Sequence, residues 1–312
     1  MLEFKVGELI HDAAKIQKVY LCTKIIAMNE NLFTENLKQS FGMRAFLFLI
    51  ILLFSTLIGV ALSFVFVSSG DTGVKIGQGL ASVFMFVVPP IVYYILTRKE
   101  HRMQALGFRR LSSPWWLILV GVALMFVAIP VTSQLTTWNE GMHLGGAFSG
   151  LEAWIKEMEE TAKALTEKMT DVDTIGGLIL NLVVIALIPA VGEEMTFRGV
   201  LQQSLTRRMN PHVAIFISAA LFSFFHFQFY GFLPRMFLGL LLGYMFYITG
   251  SLWTSILMHF VNNGAAVFLY YLGNIGVIED AEHWGETQNV WLLAGSAVVT
   301  AGLLVWSWRK RK

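Results

Sequence analysis

Two carboxylates and a guanidinium interrupt an apolar stretch. Residues 174–191 carry no charge, and then Glu193 and Glu194 arrive side by side, with Arg198 four positions after the second. On a helix, residues four apart share a face, so Glu194 and Arg198 can pair. Glu193 is turned about 100° away and has no arginine of its own. The spacing predicts a buried Glu194–Arg198 brace with Glu193 as the reactive carboxylate. The alternative places all three at the cytoplasmic headgroups, where charge costs little. Two further places combine proton chemistry with apolar surroundings. His226 lies among the phenylalanines of LFSFFHF (221–227), and His259 and Asn263 lie four apart in LMHFVNNGA (257–265). Read blandly, His226 is a core histidine and the His259–Asn263 pair an interhelical hydrogen bond. Together, an unpaired carboxylate and two histidines are the parts of a hydrolase: Glu193 takes a proton from water that His226 orients, and His259 with Asn263 stabilises the oxyanion.

These groups need an unusual scaffold. Of 312 residues 55% are hydrophobic and 14% charged, with a net charge of +2. A typical soluble domain carries about 25% charged residues. Mean hydropathy is +0.62. The composition predicts an all-α, polytopic membrane helical bundle and gives no sign of a nucleic-acid partner. A helix needs roughly 20 apolar residues to cross the hydrocarbon. About eight transmembrane helices are expected, near 43–68, 76–97, 114–136, 174–192, 211–228, 232–249, 251–272 and 288–307. Ionisable side chains inside such spans cost about 2.5–3.5 kcal/mol each, which makes them functional candidates. Arg235, at a helix start, is expected to snorkel. Cys22 is the only cysteine, so an intrachain disulfide or a cysteine-rich metal site is ruled out.

The chain reads as a cytoplasmic N-terminal segment, 1–42, followed by one membrane-embedded domain, 43–312. Basic residues crowd the 97–110 loop, the fourth-to-fifth connection with Arg198, Arg207 and Arg208, and the C-terminus. Acidic residues crowd 152–173 and 279–286. The positive-inside rule then puts both termini in the cytoplasm. Leu151, Trp154, Ile155, Met158, Leu165 and Met169 fall on one face of an amphipathic helix near 150–170. It is expected on the outer surface or capping the bundle, or as a solvated connector.

Three motifs in order carry a resemblance. EEMTFRG (193–199) resembles the EExxxR motif of the CAAX protease and bacteriocin-processing family of intramembrane endopeptidases, relatives of the type II CAAX prenyl endopeptidases. FSFFH (222–226) resembles that family's FxxxH, and HFVNN (259–263) its HxxxN. The resemblance implies an eight-helix-type bundle with a water-filled cavity open to the cytoplasm. It implies that Glu193 and His226 activate water, that His259 and Asn263 form the oxyanion hole, and that Glu194 and Arg198 support the site. The implied partners are membrane lipid and a peptide or protein C-terminal substrate, lipidated or not, in the plasma (inner) membrane if the source is bacterial. No cofactor is expected. A zinc-dependent version would use Glu193, His226 and His259 as ligands. Competing readings are a non-catalytic membrane scaffold or bacteriocin-immunity protein, and a proton-coupled transporter. One difficulty is depth. Counted from the cytoplasmic ends of their spans, His226 lies ~24 Å deep and His259 ~12 Å. The helices must tilt, break or start elsewhere for both to reach Glu193.

The topology has a direct test. With Cys22 replaced, a membrane-impermeant thiol reagent added from outside is expected to label Glu160→Cys and spare Ala105→Cys. The reverse pattern would overturn the orientation.

Overall fold

The computed structural model describes residues 40–98, 100–143, 145–280, 284–287 and 289–311. The N-terminal segment 1–42 lies outside them except for its last three residues. The described chain is helical throughout: α1 (Phe41–Ser63), α2 (70–97), α3 (Arg102–Leu106), α4 (Leu117–Val127), α5 (Ile129–Glu140), α6 (Ser149–Thr170), α7 (Ile175–Thr206), α8 (Pro211–Phe224), α9 (Phe232–Thr249), α10 (Leu252–Asn274) and α11 (Val290–Arg309). Several starts are legible in the sequence. Ser40 accepts from the Met43 amide, Thr174 from Gly177, and Asn210, just before Pro211, from His212, the side-chain caps that free helix N–H groups require.

This is an integral membrane protein. Among the described residues, five segments are long and apolar enough to cross a bilayer, and a sixth if the pair α4 and α5, bent by 44°, counts as one span. The first of the five, Phe41–Thr97, is 57 residues long, far more than one crossing needs. It folds back on itself. A 3-10 turn at Phe64–Ser69 and a positive φ at Gly70 reverse the chain, and the Ser55 hydroxyl then donates to the Phe84 carbonyl across the hairpin.

Four expected spans differ from the structure in informative ways. The helix expected at 76–97 starts earlier, at Gly70. The expected straight helix 114–136 breaks near Ala128, one residue before α5 begins with Pro130 in its first turn, where a ring lacking an N–H cannot continue the ladder. The expected 174–192 runs on to Thr206, so Glu193, Glu194 and Arg198 sit inside a helix rather than at its end. The expected 211–228 stops at Phe224. At 14 residues α8 is ~21 Å long, shorter than the hydrocarbon, and residues 225–231 form a loop.

Two ends of the bundle can be told apart. At the basic end the 98–113 loop is stitched to the α9–α10 link: Ser112 donates to Thr249, Arg109 to Gly250 and Leu252 to Gly107. At the other end α6 caps the helices. Asn181 donates to Met169 and Asn274 to Thr170, while Lys168 pairs with Asp71. These contacts come from the last turn of α6, while Leu151 and Trp154 of its apolar face stay exposed. Between the ends, α7 packs against α2, α3, α8, α9 and α10. A Cβ on Gly199 would lie 2.8 Å from the Leu106 carbonyl oxygen, so α7 and α3 approach backbone to backbone with no room to spare.

Gly199→Ala is expected to lower stability by about 1–3 kcal/mol, because the obstructing atom is backbone and cannot swing away. Gly295→Ala, whose Cβ would meet nothing within 4 Å, should leave the thermal midpoint in detergent unchanged or raise it. Equal midpoints for the two variants would contradict the close approach.

Candidate active site

The site starts from backbone irregularities. α7 contains two wider, π-helical stretches, Leu182–Leu187 and Glu194–Gln202, and α2 contains one at Val83–Val87. Such turns are common at functional sites. Prolines lie near two of them. In an α-helix, Pro189 would fail to bond the Ile185 carbonyl, and Pro90 the Phe86 carbonyl. Polar side chains reach these oxygens instead: Asn263 lies 3.4 Å from Ile185 O, and Thr196 donates to Phe86 O at 2.9 Å. Further along α7, the Gly199 carbonyl accepts from Tyr94 at 3.1 Å and Gln203 at 2.7 Å, and Phe197 from Ser218 at 3.0 Å. The helix carrying the carboxylates is thus pinned by side chains from α2, α8 and α10.

Glu194 and Arg198 form the expected brace, and they are fully buried rather than set among headgroups. Arg198 donates to Glu194 Oε1 at 2.7 Å and to the Gly239 carbonyl on α9 at 2.9 Å, with its guanidinium 4.7 Å above the Phe222 ring. The same Glu194 Oε1 lies 3.0 Å from His259 Nδ1. That contact was not expected. A carboxylate oxygen can only accept here, so Nδ1 carries the proton and the ring is turned with Nε2 outward. His259 Nε2 then faces Glu193 Oε2 at 3.8 Å.

His226 reaches the same oxygen from the other side. Its Nε2 lies 4.0 Å from Glu193 Oε2, and its Nδ1 lies 2.9 Å from the Phe222 carbonyl, one turn back. Both histidines reach Glu193 despite the different lengths of helix before them. α8 ends at Phe224, and Phe227 takes a left-handed conformation at φ 52°. An aromatic residue there is strained, and the turn folds His226 back against the edge of Phe222. The surrounding loop is held from outside. Asn139 on α5 accepts from Leu233 N and donates to Phe229 O, Glu159 on α6 accepts from Tyr230 N, and Arg235 donates to Gln228 Oε1. Arg235 therefore does not snorkel; it folds over the loop. The loop lies at the end of the bundle that carries α6.

Glu193, Glu194, Arg198, His226 and His259 are thereby brought together. Asn263 sits one turn beyond His259, its amide at Ile185 and its oxygen accepting from Asn262 at 3.2 Å. Sequence reasoning missed Thr196, Asn139, Glu159 and Arg235. Thr196 lies inside the EEMTFRG motif and was open to notice. Asn139 and Glu159 act across 71 to 94 positions of chain, and no local pattern marks them.

Residues 175–265 match the family model described as type II CAAX prenyl endopeptidase Rce1-like, in agreement with the resemblance carried by the motifs. The matched stretch is under a third of the chain and contains all six candidate residues. No curated protein and no solved structure matches the chain.

Replacing Glu194 leaves Arg198 buried without its anion and frees the His259 ring. Glu194→Gln is expected to cost ~3–5 kcal/mol of stability, read as a lower thermal midpoint. A melting curve that overlays the wild type would remove the brace from this account.

Proposed function

We propose that the chain is an intramembrane endopeptidase of CAAX-protease type, in which Glu193 and His226 activate water against a peptide bond. One observation carries the reading. Two imidazole Nε2 atoms converge on Glu193 Oε2 at 3.8 and 4.0 Å, an oxygen that takes no hydrogen bond from the protein, while both Nδ1 protons are committed elsewhere. A water bridging Glu193 Oε2 and His226 Nε2 can donate one proton to each and keep a lone pair for the scissile carbonyl carbon. Attack forms the C–O bond, sends a proton to Glu193 and places the negative charge on the former carbonyl oxygen. Return of that proton to the amine nitrogen lets the C–N bond break. His259, carrying a second proton at Nε2, and Asn263, after its amide swings from Ile185, donate to the oxyanion.

The zinc version is the second reading. Glu193, His226 and His259 are suitable donor types, and a carboxylate on His259 Nδ1 is a common outer contact of a metal-bound histidine. Ligands about 2.0–2.1 Å from a tetrahedral zinc stand roughly 3.4 Å apart, whereas these stand 3.8 and 4.0 Å apart. Among the described residues no group of three His, Cys, Asp or Glu is placed to hold a metal ion. This spacing favours the metal-free mechanism.

The name of the matching family supports a substrate in the form of a protein or peptide C-terminal tail, lipidated or not. The reading keeps eight crossings with both termini cytoplasmic, and the plasma membrane if the source is bacterial. Its support is the gathering of Arg98, Arg109, Arg208 and Arg311 at one end of the bundle, where they contact Arg102, Gly250, Phe41 and Tyr247.

Purified protein with a peptide library, read by mass spectrometry, tests the activity. Glu193→Gln is expected to abolish cleavage while retaining the wild-type melting profile. Turnover near wild type in that variant would end the mechanism. Cleavage is expected to resist a strong chelator, with little bound zinc by elemental analysis. Stoichiometric zinc that disappears in both His226→Ala and His259→Ala would establish the metal version instead.

A further inference from the structure

Arg235 has a charge that the proposed chemistry does not use. It is half-buried in the first turn of α9, and its two hydrogen bonds go to neutral oxygens, the main-chain and side-chain carbonyls of Gln228. A guanidinium carries five N–H donors, more than these bonds use. Among the described residues it forms no ion pair. Glu159 acts on it electrostatically, but the two oxygens of Glu159 serve Tyr230 N and Gln228 Nε2. Inside a bundle such a cation is costly until an anion meets it. Arg235 also lines a cavity of about 130 Å³ between α4, α5, α9 and α10, well above the ~10–15 Å³ that one water needs. The other polar side chains on its wall are Thr132 and Asn262. Thr132 donates to Ala128 O in its own helix. Asn262 ties the cavity to the reaction centre, because its amide donates to Asn263 Oδ1 at 3.2 Å. From the same place Arg235 acts electrostatically on Glu193 and His226.

We infer that Arg235 binds the α-carboxylate at the substrate's C-terminus, so that the chain cuts its substrate at a fixed distance from that end. The inference rests on the proposed peptidase activity and adds to it a residue that sets where the cut falls. A planar guanidinium matches a carboxylate with paired N–H donors, and the match is strong where water is scarce. The fragment released on the amine side of the broken bond is the one that ends in this carboxylate. Asn263 stands where that bond breaks, and Asn262 leads from it into the cavity that Arg235 lines. The cavity is small, so the anchor reads the terminus rather than the side chains of a long segment.

The best-cleaved peptide from the library, prepared as the free acid and as the C-terminal amide, tests it on the purified full chain. The free acid is expected to be cut with a kcat/KM about tenfold to a hundredfold higher, the worth of a hydrogen-bonded charge left unmatched. Adding one residue to the C-terminus is expected to move the cut by one residue toward the new end. In Arg235→Gln the ratio of acid to amide is expected to fall to about one. Equal rates for acid and amide in the wild type would overturn the inference. So would a cut that ignores the added residue, or a ratio that survives in a folded Arg235→Gln. If that variant does not fold, the two wild-type measurements decide alone. Glu193→Gln separates the two readings. Loss of cleavage there upholds the peptidase whatever the ratio of acid to amide, and cleavage that persists there removes both.

Discussion

One carboxylate oxygen holds three helices in register. Glu194 Oε1, on α7, takes hydrogen bonds from Arg198 at 2.7 Å and from His259 on α10 at 3.0 Å, and Arg198 in turn bonds the Gly239 carbonyl on α9. Three charged or chargeable groups buried this deeply are costly unless each is paired. The pairing leaves little freedom: rotating α7 or sliding α10 would strand at least one of them. The requirement propagates outward. Gln202, one turn past Arg198, repeats the contact with α9 at the Gly243 carbonyl, so α7 and α9 are locked at two successive turns.

The backbone of α7 departs from an α-helix where the motif lies. A π-helical turn shifts the carbonyl ladder by one residue and exposes acceptors that must be satisfied inside a membrane. Tyr94, Gln203 and Ser218 do this for α7, and Thr196 does it for the π-helical turn of α2 at Phe86. Their hydroxyls and amides look dispensable in an apolar sequence. Their role is to make an irregular helix affordable in a low-dielectric setting.

Much of this was legible beforehand, and the part that was not has a physical reason. The i, i+4 relation of Glu194 to Arg198 follows from helix geometry alone, and so does the shared face of His259 and Asn263. The link from Glu194 to His259 spans 65 positions and depends on how α7 and α10 pack, which periodicity does not encode. The position of His226 was misjudged because an unbroken run of apolar residues reads as continuous helix. α8 in fact ends at Phe224, and the loop after it passes through a strained residue, Phe227, that carries no turn signature. It is held by Asn139, Glu159 and Arg235, which satisfy the loop backbone from distant elements. Arg235 read as a snorkelling side chain because sequence shows proximity to a helix end but not which way the guanidinium turns.

Charge balance gives the two histidines different parts. The buried cluster of Glu193, Glu194 and Arg198 holds two negative charges and one positive. A low-dielectric interior penalises the excess. His259, 2% exposed, touches Glu194 through Nδ1 and faces Glu193 through Nε2, so it meets a carboxylate at each nitrogen. His226 has no such setting. Its Nδ1 bonds a neutral carbonyl, its side chain is 29% exposed, and it approaches a single carboxylate. In the proposed mechanism His226 is therefore the acceptor for water, and His259 is the donor to developing negative charge. The asymmetry comes from Glu194, whose Oε1 lies against His259 and not against His226.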